Sequence, residues 1–193
     1  MTPRDYALLA QEAYSAKPDI GKSDSASRAI VRQTAAGLVV AFPGTDNLDC
    51  VAADLDAHPI DVIGIGQVHH GFWKAWGAIA VDVLAAIDGR PVTLVGHSLG
   101  AAIAIMAASA MVVGGNAPSA VYGFEPPRVS TNDSVASLLT KVPLSLYKNG
   151  NDIVPDLPLD WHHAGAIQQI GRPALPFANV TDHAIARVIA ALT

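Results

Sequence analysis

Cysteine is nearly missing from this chain, since Cys50 is the only one in 193 residues. That excludes an intramolecular disulfide framework and a zinc site built from cysteines, and it leaves the redox compartment open. Basic excess is missing too. The formal net charge of −5 gives none of the electrostatic footprint that nucleic-acid binding requires, so nucleic acid is not an expected partner. Long apolar runs are also lacking. The most apolar stretch, Leu99 to Val113, falls short of the roughly 18 to 20 residues needed to cross a bilayer. It reads as a core helix, and no stable membrane insertion is expected. The N terminus carries no targeting pattern: the apolar residues before Gln11 and Glu12 are too few for a signal h-region. The compartment stays unknown, either the cytoplasm or that of a processed secreted form.

What the chain does have is apolar bulk. Hydrophobic residues make up 51% and charged residues 15%, a balance that suits a compact α/β protein and excludes a disordered one. The length fits one substantial core, so a single domain over residues 1–193 is expected. Pro3 to Ser15 has an amphipathic helical pattern behind a Thr2 cap. Arg28 to Gln33 and Leu38 to Phe42 form an expected antiparallel hairpin. A long acidic connection, Asp46 to Gln67, follows; loops of that length are usually functional or flexible. Within it Gly64-Ile-Gly66 lacks the third glycine of a dinucleotide loop, where His69 stands, and no helix opens directly after it. His70 to Ile87 reads as one helix. Strands are expected at Val92 to Val95, Val121 to Phe124, Leu144 to Lys148 and His163 to Ile170, and helices at Ser130 to Lys141 and Thr181 to Leu192. Strands alternating with helices give a mostly parallel central sheet with helices on both faces.

Gly96-His97-Ser98-Leu99-Gly100 fits G-x-S-x-G between an expected strand and an expected helix, the setting of a nucleophile elbow. A serine hydroxyl needs a histidine to take its proton, and that histidine needs a carboxylate to hold its tautomer. In such sheets the loops at the carboxyl ends of the strands converge on one crevice. Asp152 directly follows a strand, whereas Asp156 and Asp160 lie in a proline-rich loop and Asp133 begins a helix; its plainer reading is an Asx turn. Among the histidines, His97 points away if Ser98 sits at the apex, and His162 and His163 follow Asp152 too closely to return from another loop. His183, after a long loop, is the expected base. The catalytic set is therefore Ser98, Asp152 and His183. Oxyanion donors are expected at the backbone N–H of Leu99 and in the turn Pro43-Gly44-Thr45. No H-E-x-x-H spacing accompanies the histidines, so neither a metal nor another cofactor is expected. The glycosylation patterns at Asn132 and Asn179 read as plain loop sequence.

Together these residues resemble the class 3 lipases, the α/β-hydrolase family that includes fungal triacylglycerol lipases and feruloyl esterases. The resemblance runs from about Val39 to His183. It rests on Val40-Ala-Phe-Pro-Gly-Thr45 (similar to F-R-G-[ST]), Ala53-Asp54-Leu55, Val68-His-His-Gly-Phe72, the elbow itself, Pro127-Arg128-Val129, and Asp152-Ile-Val-Pro155 with Leu157-Pro158. It implies an α/β-hydrolase fold, a lid segment over 46–61, a triad of Ser98, Asp152 and His183, and oxyanion donors at Thr45 and Leu99. It also implies a serine ester hydrolase acting through an acyl-enzyme on a small-molecule or lipid ester. His163 falls on a structural His-x-Gly segment. Three departures stand out. Pro43 replaces an arginine, Glu125 stands where a glycine is usual and would add a charge at the cleft rim, and the lid segment is acidic. The acidic lid favours soluble or short-acyl esters over emulsified triglyceride. Two alternatives use the same residues: a non-catalytic binding module, and acyl transfer to an acceptor other than water.

Overall fold

In the computed structural model, which describes residues 1–45 and 58–192, the chain builds a seven-stranded sheet. The strands are β1 (Ile20–Gly21), β2 (Arg28–Thr34), β3 (Gly37–Phe42), β6 (Val92–His97), β7 (Ala120–Phe124), β8 (Leu144–Asn149) and β9 (Ile167–Ile170), in that spatial order. β1, β2 and β3 pair antiparallel, as the hairpin pattern predicts, and every pairing from β3 to β9 is parallel. β4 (Pro59–Val62) and β5 (Gly66–His69) form a separate antiparallel ribbon whose turn contains Gly64. That turn runs into a strand and not into a helix, which disposes of the dinucleotide pattern. Residues 46–57 of the candidate lid lie outside the described residues, and its end enters β4.

Side chains along a strand point alternately to opposite faces, and the sheet follows that rule closely. Leu38, Val40 and Phe42 of β3 join Val92 and Leu94 of β6 on one face, while Val39, Ala41 and Val95 join the other. The first face is covered by α2 (His70–Gly77), α3 (Ala80–Ile87) and α4 (Leu99–Val113). The second is covered by α1 (Pro3–Ser15) and α6 (Ile185–Ala191). α1 starts at a capping box in which Thr2 and Asp5 satisfy each other's backbone N–H, with Pro3 at the first helical position. α4 is buried on nearly every side, Gly100 to Ser109 without interruption, as expected of a helix that is apolar all round.

Two helices differ from the expected lengths. The pattern His70 to Ile87 breaks at Gly77 to Ile79, where glycine weakens the helix by about 1 kcal/mol relative to alanine. The break keeps Phe72, Trp76, Ile79, Val83 and Ile87 all in the core. The helix expected from Ser130 to Lys141 shrinks to α5 (Ser134–Leu138) because Ser130 is drawn into bridges with Val68 and His162. Likewise β9 begins at Ile167 and α6 at Ile185, each after a stretch fixed by side-chain and turn hydrogen bonds.

Candidate active site

The parallel register places one row of residues at the carboxyl edge of the sheet. Phe42 pairs with Gly96, His97 with Phe124, and Phe124 with Tyr147. The residues that leave this row are therefore neighbours: Pro43 to Thr45 after β3, Ser98 after β6, Glu125 after β7, and Asn149 to Asp152 at the end of β8. The ladder even runs one step on, with Ser98 N–H donating to the Phe124 carbonyl at 2.9 Å and Glu125 N–H to that of Tyr147 at 2.8 Å.

Ser98 sits at φ 57° and ψ −127°, a conformation that costs a non-glycine residue about 1 to 3 kcal/mol and persists only where the surroundings over-determine it. They do so here. A Cβ on Gly96 would collide with the Gly100 carbonyl, one on Gly100 with the Phe42 carbonyl, and one on Gly44 with the Tyr14 hydroxyl and Ser98. Both elbow glycines and Gly44 are thus explained by the close approach of strand, turn and helix. Leu99 is the first residue of α4, so its N–H is one of the donors that helix geometry leaves without an internal acceptor. Thr45 follows Gly44, and its Oγ1 is covered and meets no partner among the described residues.

The structure brings Asp152 and His183 together. Nδ1 of His183 lies 2.6 Å from Oδ2 of Asp152, and both side chains are fully buried. The second Asp152 oxygen accepts the Val154 N–H at 3.1 Å. Burial alone would raise the Asp152 carboxyl, but hydrogen bonds from His183 and Glu125, together with the Val154 N–H, outweigh it and hold the group below the ordinary aspartate value. Nδ1–H therefore donates to a carboxylate, and Nε2 is left as the acceptor. Neither Nε2 of His183 nor Oγ of Ser98 has a partner among the described residues.

His183 lies in the loop ahead of α6, not in the helix, and the loop is fixed from behind. Its carbonyl accepts from Nε2–H of His97 at 2.8 Å, and Nδ1 of His97 accepts the Tyr14 hydroxyl at 2.6 Å. Burial, followed by the proximity of His183, pushes His97 down to about 3, so it is a neutral connector between α1 and the histidine loop. His97 turns toward the backbone of His183. Asp182 is the second anchor. Its buried carboxylate accepts from the N–H groups of Asn151 and Ala174 at 3.0 Å and from Asn179 Nδ2 at 3.1 Å, and it pairs with Arg187 at 3.1 Å. Asn149 Nδ2 donates to the Asp182 carbonyl at 2.8 Å. The Asn179 amide nitrogen is occupied by Asp182 and Phe177, which leaves it unsuited to carry a glycan. The sequence marks none of these residues as an anchor of the histidine loop; its one signal is the position of Asp182 directly before His183.

The rival histidines are engaged elsewhere. His163 Nε2 lies 2.8 Å from the Pro155 carbonyl, and burial pushes its ring down to about 4; His162 pairs with Asp133 at 2.6 Å. Glu125 corrects an expectation. It lies at φ 51° and is fully buried beneath the site, not charged at its rim. Burial and the neighbouring Asp152 carboxyl push it up to about 11, so it is the neutral acid at physiological pH. Glu125, Asp152 and His183 bring ligand-type atoms within 4.8 Å of one another. Yet Asp152 and Nδ1 are already spent on each other, which leaves no converging set of free donors for a metal.

A mostly parallel sheet that carries a strained serine elbow, with a buried His–Asp pair two strands away at the same edge, defines an α/β-hydrolase. The family model for class 3 lipases matches residues 39–161, and the chain belongs to that family. Among its relatives, secreted mono- and diacylglycerol lipase A of Penicillium cyclopium is 29% identical over 147 residues, spanning 71% of this chain and 48% of the relative. Secreted mono- and diacylglycerol lipase 1 of Fusarium solani is 36% identical over 106 residues, 50% of this chain and 31% of the relative. The chain thus spans half or less of the length of these relatives. The crystal structure of the lipase from Rhizopus microsporus var. chinensis superposes with a TM-score of 0.76 at 20% identity, covering 94% of this chain and 84% of that one. At that identity the likeness carries the fold.

Proposed function

We propose that this chain is a serine carboxylic-ester hydrolase working through an acyl-enzyme. The observation that carries the reading is the ordered pair His183–Asp152, with Nε2 left as acceptor at the strand edge where the Ser98 elbow also ends. Ser98 Oγ adds to the ester carbonyl carbon while its proton passes to His183 Nε2; Asp152 holds the tautomer and stabilises the imidazolium. The carbonyl oxygen takes the negative charge against the N–H groups of Leu99 and Thr45, a contribution typically worth about 10² to 10³ in rate per donor. Collapse expels the alcohol, which takes the proton from His183 as it leaves. Water then adds to the acyl-enzyme by the same route, its proton goes to His183 and on to Ser98, and the carboxylic acid is released.

Soluble or short-acyl esters are the favoured substrates, a preference supported by the acidic residues of the 46–61 segment. Two relatives are named as secreted, which supports the processed secreted form over a cytoplasmic one. Ser98→Ala and His183→Ala are each expected to lower nitrophenyl-ester hydrolysis at least about 10³-fold, and a fluorophosphonate is expected to label Ser98 alone. Intact hydrolysis in either variant would sink the reading, and a folded but unlabelled protein would favour the binding module. A rate jump on crossing the solubility limit of a longer-chain ester would overturn the short-acyl preference.

A further inference from the structure

Glu125 bears three unfavourable conditions at once. Its backbone stands at φ 51°, a left-handed conformation that glycine adopts freely and a glutamate does not. Its side chain is fully buried. Its carboxyl lies beside that of Asp152, the partner of His183. Lys148, the nearest cation, is committed to Asp156 at 2.7 Å. Oε1 of Glu125 accepts the Asn149 N–H at 2.6 Å, whereas Oε2 meets no N–H or O–H group of the described residues. Two ionised carboxylates are acceptors only, so the pair is satisfied when one proton lies between them. Asp152 is the oxygen pair better supplied with donors, from His183 and the Val154 N–H; the proton therefore belongs to Glu125.

We propose that Glu125 is a positioning residue: as the neutral acid it donates a hydrogen bond to Asp152 beside those from His183 and the Val154 N–H, holding that carboxylate anionic and aimed at Nδ1. This rests on the ester-hydrolase reading for its kinetic consequence, but not for the protonation state of the pair. The charged and titratable groups around Glu125 are Asp152, His183 and Lys148, with His97 on the adjacent strand. The arrangement works as a three-membered relay of orientation, Glu125 to Asp152 to His183, in which only the last member meets the substrate.

Glu125→Gln keeps an acceptor for the Asn149 N–H and a donor for Asp152 but cannot ionise; Glu125→Ala keeps neither. The first test compares urea unfolding of the parent and E125Q from pH 5 to pH 9. An acid kept neutral only in the folded state releases its proton on unfolding, so the parent's unfolding constant is expected to rise about tenfold per pH unit relative to that of E125Q. Parallel curves would overturn the proposal. The second test is ester hydrolysis. E125A is expected to lose roughly tenfold in kcat with KM unchanged, and the acid limb of its profile is expected to move to higher pH, because an Asp152 without its donor is the stronger base and favours the imidazolium. E125Q is expected to recover most of that loss. An E125A enzyme with the parent's kcat and profile would overturn the positioning role. Full activity in Ser98→Ala would instead remove the ester reading while leaving the unfolding comparison valid.

Discussion

Ser98 and His183 both lie at the carboxyl edge of the sheet but are held there by different means. The serine is fixed by steric closure of its backbone. Gly96, Gly100 and Gly44 allow strand, turn and helix to come so near that the strained φ of Ser98 has nowhere to relax. The histidine is fixed by polar tethers, among them Asp152 on its ring, His97 on its carbonyl, and Asp182 binding its loop to residues 151, 174 and 179. Steric closure is all-or-none, since a packed interior does not deform gradually. Tethers are graded, because each hydrogen bond contributes separately and a partner can be lost without collapse.

Gly100→Ala tests the steric half and carries the largest expected effect. The added Cβ meets the Phe42 carbonyl, which is backbone and has no rotamer to yield. Overpacking of this kind costs about 3 kcal/mol or more, so urea or thermal unfolding is expected to show a severely destabilised protein. A stable, active Gly100→Ala would show that the elbow has slack.

Asp182→Ala tests the tethered half. It leaves the Asn151 and Ala174 N–H groups and the Asn179 amide without their acceptor and removes the Arg187 pair, at a cost of about 3 kcal/mol. Here kcat is expected to fall while the fold survives, since the histidine loop alone loosens. The pH dependence has a definite sign. Burial would raise the Asp182 carboxyl, but the N–H groups of Asn151 and Ala174 outweigh it and lower the value in the folded state. A lowered folded value stabilises at pH above the ordinary aspartate range, about 4. That stabilisation is lost as pH falls toward the folded value. Asp182→Asn is expected to flatten this acid limb of the stability curve; an unchanged limb would show that other carboxylates dominate acid unfolding.

The two means of fixation also divide what could be read from the sequence. Strand periodicity, the hairpin and the G-x-S-x-G elbow are local, so Val92 to Val113 declared its strand, turn and helix directly. The His183–Asp152 pair was legible from residue chemistry and chain order. The tethers were not, because Tyr14, His97 and Asp182 converge from segments more than eighty residues apart, and nothing local to Tyr14 marks it as a hydrogen-bond donor to His97. Glu125 stands out in the sequence but reads as a surface charge, since a lone glutamate reads as exposed until its neighbour is known to be a second carboxyl. The break between α2 and α3 went unseen for the same reason: the apolar spacing continues through Gly77 to Ile79, and only the packing shows the turn.

Tyr14→Phe gives the smallest and most discriminating effect. It removes one hydroxyl from a connector that ends on the backbone of His183 and leaves every ring in place. His97 stays neutral and keeps its Nε2–H on the His183 carbonyl, so the loop retains its tether but loses the hydrogen bond that fixes the tether's far end. A single such bond contributes about 1 kcal/mol. The expected outcome is a loss of that size in urea unfolding, with a kcat reduced by a few-fold and an unchanged KM. If activity fell as far as in Asp182→Ala, the tethers would not be graded, and His183 would depend on α1 as absolutely as Ser98 depends on its glycines.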